Sequence, residues 1–183
     1  MLKKYIKIII ISLLLIIVIV NNIDLFKHKK VINIVKNNFK DITNIKNNDD
    51  KEIGIIEIPI INVNRKLYNI DSDKNNVKYN VEIIKKSDMP NIVNGNFVLA
   101  SHSGNGKNAY FKDLNKLNID DTIYINYENK KYIYEVVKIY EVDKTGLINV
   151  VRNKDKNILT LVTCDQINKT KQIVIISELI QVE

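Results

Sequence analysis

Apolar residues run almost unbroken over residues 8–20, interrupted only by Ser12, and Leu2, Tyr5 and Ile6 extend the run among Lys3, Lys4 and Lys7. A bilayer core takes roughly 20 helical residues, with about 17 as a lower limit. Residues 2–20 reach that length when the lysine stems lie along the apolar surface and their ammonium groups reach the interface. The residues that follow, Val20, Asn21, Asn22, Ile23 and Asp24, offer no small-residue signal-peptidase site. Residues 1–22 are therefore predicted to be an uncleaved signal anchor, with a cleaved signal peptide as the alternative. Placed at the N-terminus, this transmembrane helix predicts a single-pass membrane protein whose main domain lies outside the cell.

From there to residue 50 the chain is rich in Asn and Lys. Val31, Ile34, Val35, Phe39 and Ile42 recur at three- and four-residue spacing, which predicts one juxtamembrane helix. Residues 44–50 are polar and of low complexity, so 23–50 reads as helix plus linker and 51–183 as the main domain. After the linker the period becomes strand-like. Residues 54–59 and 60–63 read as two short strands separated by Pro59, which cannot donate to a ladder. Residues 96–101 form another. Residues 121–127 alternate, turn at Glu128, Asn129 and Lys130, and return over 131–137 as a hairpin. Residues 158–163 and 172–176 are separated by too few residues for a helical crossover and are expected to be antiparallel neighbours. One helix is expected over residues 110–117, where Phe111, Leu114 and Leu117 recur three apart. Seven or eight short strands with one or two short helices predict a mostly β domain, a barrel or sandwich.

Charge first suggests a nucleic-acid partner, since the net value is +7. Its distribution removes that reading. Six lysines (Lys3, Lys4, Lys7, Lys27, Lys29, Lys30) against Asp24 put +5 in residues 1–30, leaving +2 for the rest. Basic residues beside a hydrophobic segment meet anionic lipid head groups, so the membrane is the expected partner and nucleic acid is not. The single cysteine excludes a disulfide framework and a multi-cysteine metal site.

A lone cysteine is ordinarily buried and inert. Outside the cell, however, a free thiol risks oxidation, so a reactive thiol is the reading to follow for Cys164. Side chains repeat with period two along a strand, so Thr160, Val162 and Cys164 share one face of theirs. Val98, Ala100 and His102 share one face of theirs. Each strand ends in a reactive side chain above two small or medium ones, an arrangement that suits a groove for an extended peptide. A thiolate is the nucleophile of a Cys–His pair, and the imidazolium stabilises it and then protonates a leaving amine. Cys164 and His102 are 62 residues apart, so the fold must bring them together.

Those residues resemble the sortases, the Gram-positive cell-surface cysteine transpeptidases, over about residues 51–183. Thr160, Leu161, Val162, Thr163 and Cys164 read as the family's TLxTC signature at a strand end. Residues 96–102, ending in Ser101 and His102, are similar to the strand that delivers the family's histidine. Supporting similarities lie at residues 54–59, at 110–114 and at 120–123. The resemblance implies an eight-stranded sortase-type β-barrel. It implies that Cys164 attacks an LPxTG-type sorting signal, and that an amine from a peptidoglycan precursor or a pilin lysine resolves the thioacyl enzyme. His102 would act as general acid and then general base, while Ala100, Thr160 and Val162 would line the peptide site.

Two departures from the family stand out. Sortases usually carry an arginine at the start of the last strand, and this chain has Gln172 there, preceded by Lys171. Either Gln172 substitutes, or Lys171 swings in, or the enzyme is slow or inactive. Some sortases also bind calcium through carboxylates ahead of the histidine strand. Residues 87–94 offer only Asp88, so no metal and no cofactor are expected. The 142–158 connection is short and carries no inserted helix, and no second hydrophobic segment follows at the C-terminus, which suits a housekeeping or accessory role. A hydrolytic cysteine peptidase on the same fold and a degenerate, non-catalytic surface-binding module remain the competing readings.

Overall fold

In the computed structural model the described residues are 50–148 and 152–183, together with Asn33 and Lys36, both helical. The expected anchor, 1–22, and the expected helix and linker, 23–50, lie outside them except for Asn33, Lys36 and Asp50. Among the described residues no helix is long and apolar enough to cross a membrane. The chain divides into two units, Met1–Asn47 and Asn48–Glu183, and the second holds all the strands below.

The strands are β1 (Glu52–Ile58), β2 (Val63–Tyr68), β3 (Glu82–Ile83), β4 (Asn96–Ala100), β5 (Thr122–Tyr127), β6 (Lys130–Asp143), β7 (Ile158–Cys164) and β8 (Lys171–Val182). They form one sheet in the order β2-β1-β5-β6-β8-β7-β4-β3. All ladders are antiparallel except that of β4 with β7. The sheet curls into a nearly closed barrel whose two edges, β2 and β3, are bridged through Asn80, just ahead of β3. Its amide donates to the Lys66 carbonyl at 2.7 Å, and its oxygen accepts from Arg65 Nε at 3.4 Å.

Local chemistry explains the strand boundaries. The β5–β6 hairpin turns on Glu128 (φ 51°) and Asn129 (φ 60°), a two-residue loop with both residues left-handed, whose twist matches that of the flanking strands. In β1, Gly54 is required by close approach, because a Cβ there would sit 2.4 Å from the Asn126 carbonyl oxygen of β5. Residues 60–62 are not a strand, and Val63 opens β2. Pro59–Ile61 form a single 3₁₀ turn with proline at its start, and Asn62 ends it at φ 54°. The expected helix over 110–117 is likewise only a 3₁₀ turn, Leu114–Lys116, within a run of turns. Phe111, Leu114 and Leu117 are all buried, and their spacing of three matches three residues per 3₁₀ turn better than 3.6.

Strands β4, β8 and β7 are covered on both faces where they meet. Phe97, Leu99, Leu159, Leu161, Ile173 and Ile175 point into the barrel with Ile56, Ile123, Ile125 and Tyr134. Their alternates Val98, Ala100, Val162 and Val174 form a second apolar cluster outside it. Val77 and Ile84 pack against that cluster from one side, and Tyr140, Val142 and Ile148 from the other.

One ion pair ties the two connections beside this cluster. Arg152, between β6 and β7, donates to both carboxylate oxygens of Asp88 (2.7 and 3.1 Å) and to the Lys86 carbonyl (3.0 Å), ahead of β4. The guanidinium, aided by the Asn96 backbone N–H, holds the Asp88 carboxyl below the ordinary carboxylate range, and burial opposes it only in part. A depressed carboxylate adds stability that is present above its unfolded pKa, near about 3.9, and is lost as pH falls through the folded value. Arg152→Gln is therefore expected to lower the thermal midpoint at pH 7, with a narrower gap from wild type at pH 3. An equal gap at both pH values would show that the pair contributes nothing through charge.

Candidate active site

The sheet register assembles the site. Because β4 and β7 are parallel and in phase, Val98 lies beside Thr160 and Ala100 beside Val162. Cys164 comes one step further along that face of β7, and His102 follows two residues beyond the end of β4. Two hydrogen bonds hold this end together: the Ser101 N–H donates to the Val162 carbonyl at 3.3 Å, and the Thr163 hydroxyl donates to the Ser101 carbonyl at 2.8 Å. Thr163 points away from the Cys164 face and is buried, so the last threonine of the TLxTC string acts as a clamp beneath the thiol.

Cys164 is half-buried and His102 exposed. Both line one open cleft of about 530 Å³, with Ser103, Gly104, Asn105, Lys144, Asp165, Gln166 and Lys169. The backbone carbonyl of His102 accepts from the Phe111 N–H at 3.1 Å, which pins the histidine to the turns that follow. Gln166 donates to the Lys112 carbonyl, closing the cleft between the histidine loop and the β7–β8 connection. A thiol and an imidazole on one wall of a solvent-open cleft are the parts needed for nucleophilic attack followed by proton delivery to a leaving group.

The other expected site residues fall into two groups. Ala100, Thr160 and Val162 precede the thiol and imidazole on their strands, but they are 7%, 3% and 3% exposed and do not line the open cleft; Ala100 and Val162 belong to the packed outer cluster. The Thr160 hydroxyl donates to Asn96 Oδ1 at 2.9 Å. Gln172 pairs directly with Cys164 across the β7–β8 ladder, so its side chain leaves the same face of the sheet. Lys171 leaves the opposite face. It pairs with Asp143 of β6 in an ion pair of 2.7 Å, and that hydrogen bond raises its pKa. Both arginines of the chain are engaged elsewhere: Arg152 on Asp88, and Arg65 over the Tyr110 ring at 4.0 Å. Among the described residues no cluster of His, Cys, Asp and Glu suited to a metal ion occurs. Sequence reasoning passed over Lys144 and Lys169, because the strand parity that points to Lys144 appears only once β6 is seen to run on to Asp143.

A family model described as the Sortase domain matches residues 56–180. No curated protein matches the chain. Among solved structures the chain is similar to a lid mutant of sortase A from Corynebacterium diphtheriae, at 21% identity over 73% of this chain and 72% of that one, with a TM-score of 0.65. It is similar to sortase C from Clostridium perfringens SM101, at 26% identity over 73% and 72% with a TM-score of 0.61. It is also similar to sortase A from Listeria monocytogenes, at 24% identity over 73% and 90% with a TM-score of 0.62.

Proposed function

The chain belongs to the sortase family of cysteine transpeptidases, and from that premise we propose that it cleaves an LPxTG-type sorting signal through a thioacyl intermediate on Cys164 and transfers the acyl group to an amine. The observation that supports this reading is the in-phase parallel pairing of β4 with β7, beyond whose ends His102 and Cys164 line one cleft.

In the first half-reaction the Cys164 thiolate adds to the scissile carbonyl, forming the C–S bond and placing a negative charge on the carbonyl oxygen. Collapse of that intermediate breaks the peptide C–N bond, and the His102 imidazolium gives its proton to the departing amine. In the second half-reaction the neutral imidazole takes a proton from the incoming amine as its nitrogen attacks the thioester. The C–S bond then breaks and the thiolate returns. Gln172, opposite Cys164, can donate a hydrogen bond to the carbonyl oxygen. Lys171 is held on the other face by Asp143 and does not share this role.

The sorting peptide would run along the outer face of β4, β7 and β8 over Ala100, Val162 and Thr160. Val77 and Ile84 form one wall, and Val142 and Ile148 the other. Those residues are packed together in the free protein, so peptide binding parts the walls. The acceptor would be an amine of a peptidoglycan precursor or a pilin, and the apolar run at residues 8–20 supports a place at the outer face of the membrane.

Mass spectrometry of products from a library of LPxTG-like peptides, with and without an added amine, tests the reading. A ligated amide that appears only with the amine is expected. Hydrolysed product alone, in both arms, would make the chain a peptidase, and no cleavage of any peptide would make it a binding module.

A further inference from the structure

Four adjacent strands each end in one side chain on the outer face of the sheet. On β4 the column is Val98, Ala100 and then His102; on β7 it is Thr160, Val162 and Cys164; on β8 it is Ile176, Val174 and Gln172. On β6 the partners of Val174 and Gln172 are Tyr140 and Val142, and both pack with the outer cluster. The next residue of that parity is Lys144. Its backbone N–H donates to the Thr170 carbonyl at 2.8 Å, which continues the β6–β8 ladder one step beyond the assigned strand. The side chain of Lys144 therefore leaves the sheet on the side of Cys164, whereas Asp143 and Lys171 pair on the other side.

Strand spacing makes the reach adequate. Lys144 stands two strands from β7 and two residues beyond the row of Cys164, about 12 Å away at roughly 4.8 Å per strand and 3.3 Å per residue. An extended lysine places its ammonium about 6 Å from its Cα, and all of its rotatable bonds can lean it over β8. Lys144 lines the cleft together with Cys164 and His102; Gln172, although opposite the thiol, does not. The cleft's other charged groups are Asp165 and Lys169, on the β7–β8 connection, and the Asp165 carboxylate accepts the Ile167 N–H. Among the described residues neither Lys144 nor Lys169 makes an ion pair, while Lys171, Arg65 and Arg152 are all held elsewhere.

We propose that Lys144 is the cation of the acyl-transfer centre: its ammonium stabilises the Cys164 thiolate and then the oxygen that becomes negative when the thiolate adds to a carbonyl. This rests on the assignment of Cys164 and His102 as the reacting pair. Lys144 is exposed at the start of the β6–β7 connection, so replacing it leaves the barrel intact. A lysine at this edge delivers charge without the planar fork of a guanidinium, and Gln172 complements it with a directional donor on the same face.

The test measures alkylation of Cys164 by iodoacetamide as a function of pH, in wild type, Lys144→Met, Lys144→Arg and Lys169→Met. The neutral reagent is not itself drawn to a lysine. Lys144→Met is expected to raise the midpoint of the profile by about half a pH unit or more, slowing the reaction near neutrality by about threefold or more. Lys144→Arg should keep the wild-type midpoint, and Lys169→Met should move it less than Lys144→Met does. With a sorting peptide, Lys144→Met should lower kcat by about 10- to 100-fold and Lys144→Arg should restore most of it. An unchanged alkylation midpoint in Lys144→Met overturns the proposal. Absence of any acyl adduct on the wild type overturns the transpeptidase reading instead, and the alkylation profile still decides the place of the cation.

Discussion

A Cys164→Ala variant is expected to give no mass adduct with a thioester-trapping peptide and no cleavage of any sorting signal, while melting at the wild-type temperature. The thiol is the chain's only one, and of the hydroxyls near it Ser103 is buried. No other side chain in the cleft can form the acyl intermediate, so activity falls to the background of the uncatalysed reaction. His102→Ala is expected to behave differently. The thiol is still present, so a slow adduct forms, but proton delivery to the leaving amine is lost, a factor of about 10² to 10⁴. Raising the pH should recover adduct formation in that variant and leave turnover low, since only the first step improves when the thiolate forms without help. Both residues sit at strand ends, half-buried or exposed, and neither variant removes core volume. Retained cleavage by Cys164→Ala would overturn the catalytic assignment outright.

The largest effect on stability is expected at Phe97. This side chain is 2% exposed and points into the barrel from β4, the strand that leads to the histidine two residues past its end. Its neighbour on β7 is Leu159, fully buried as well. Truncation to alanine removes a ring from a packed interior and leaves a cavity that the surrounding strands cannot close, at a cost of about 3–5 kcal/mol. Against a total of roughly 5–15 kcal/mol for a domain, that loss leaves a barely folded protein. Chemical denaturation should give a lower midpoint with an unchanged slope. Phe97→Leu should lose less, because most of the volume is kept. A shift in Phe97→Ala below about 1 kcal/mol would mean that the β4–β7 core is looser than its burial implies.

The parts of the fold that the sequence discloses are those where one face alternates cleanly. The β5–β6 hairpin shows itself by Ile123 and Ile125 against Tyr132, Tyr134 and Val136, and by a turn that calls for two left-handed residues. Strands β4 and β7 show themselves as short apolar runs, since both of their faces are covered. Strand β2 is hidden because the middle residue of its inward column is Arg65, drawn off to stack on Tyr110. Strand β3 is hidden because it has two residues. The spacing of Phe111, Leu114 and Leu117 suggests a helix, and a period of three is what a run of tight turns also produces.

At the site, period-two reasoning places Cys164 and His102 at strand ends and cannot tell that the two strands are neighbours in phase. Nor can it choose between Gln172 and Lys171, as both faces of β8 are apolar. The ladder does distinguish them geometrically: Gln172 stands across from Cys164, and Lys171 across from Asp143. That information resides in pairing between strands and in no local pattern. The packed state of Ala100 and Val162 is equally absent from the local pattern, because the residues packed against their cluster, among them Val77 and Ile148, come from connections without periodicity.

The parallel ladder of β4 and β7 also fixes when in its life the molecule becomes reactive. Its members are separated by about sixty positions, and every link across it, from Thr160 to Asn96 and from Thr163 to Ser101, spans that gap. Closing so long a loop is entropically slow and precedes any local reward. A nascent chain that has emerged only through β6 owns an imidazole and no thiol, and a complete but unfolded one owns both with nothing to join them. Chemical competence thus arrives among the last events of folding, once β7 has closed against β4.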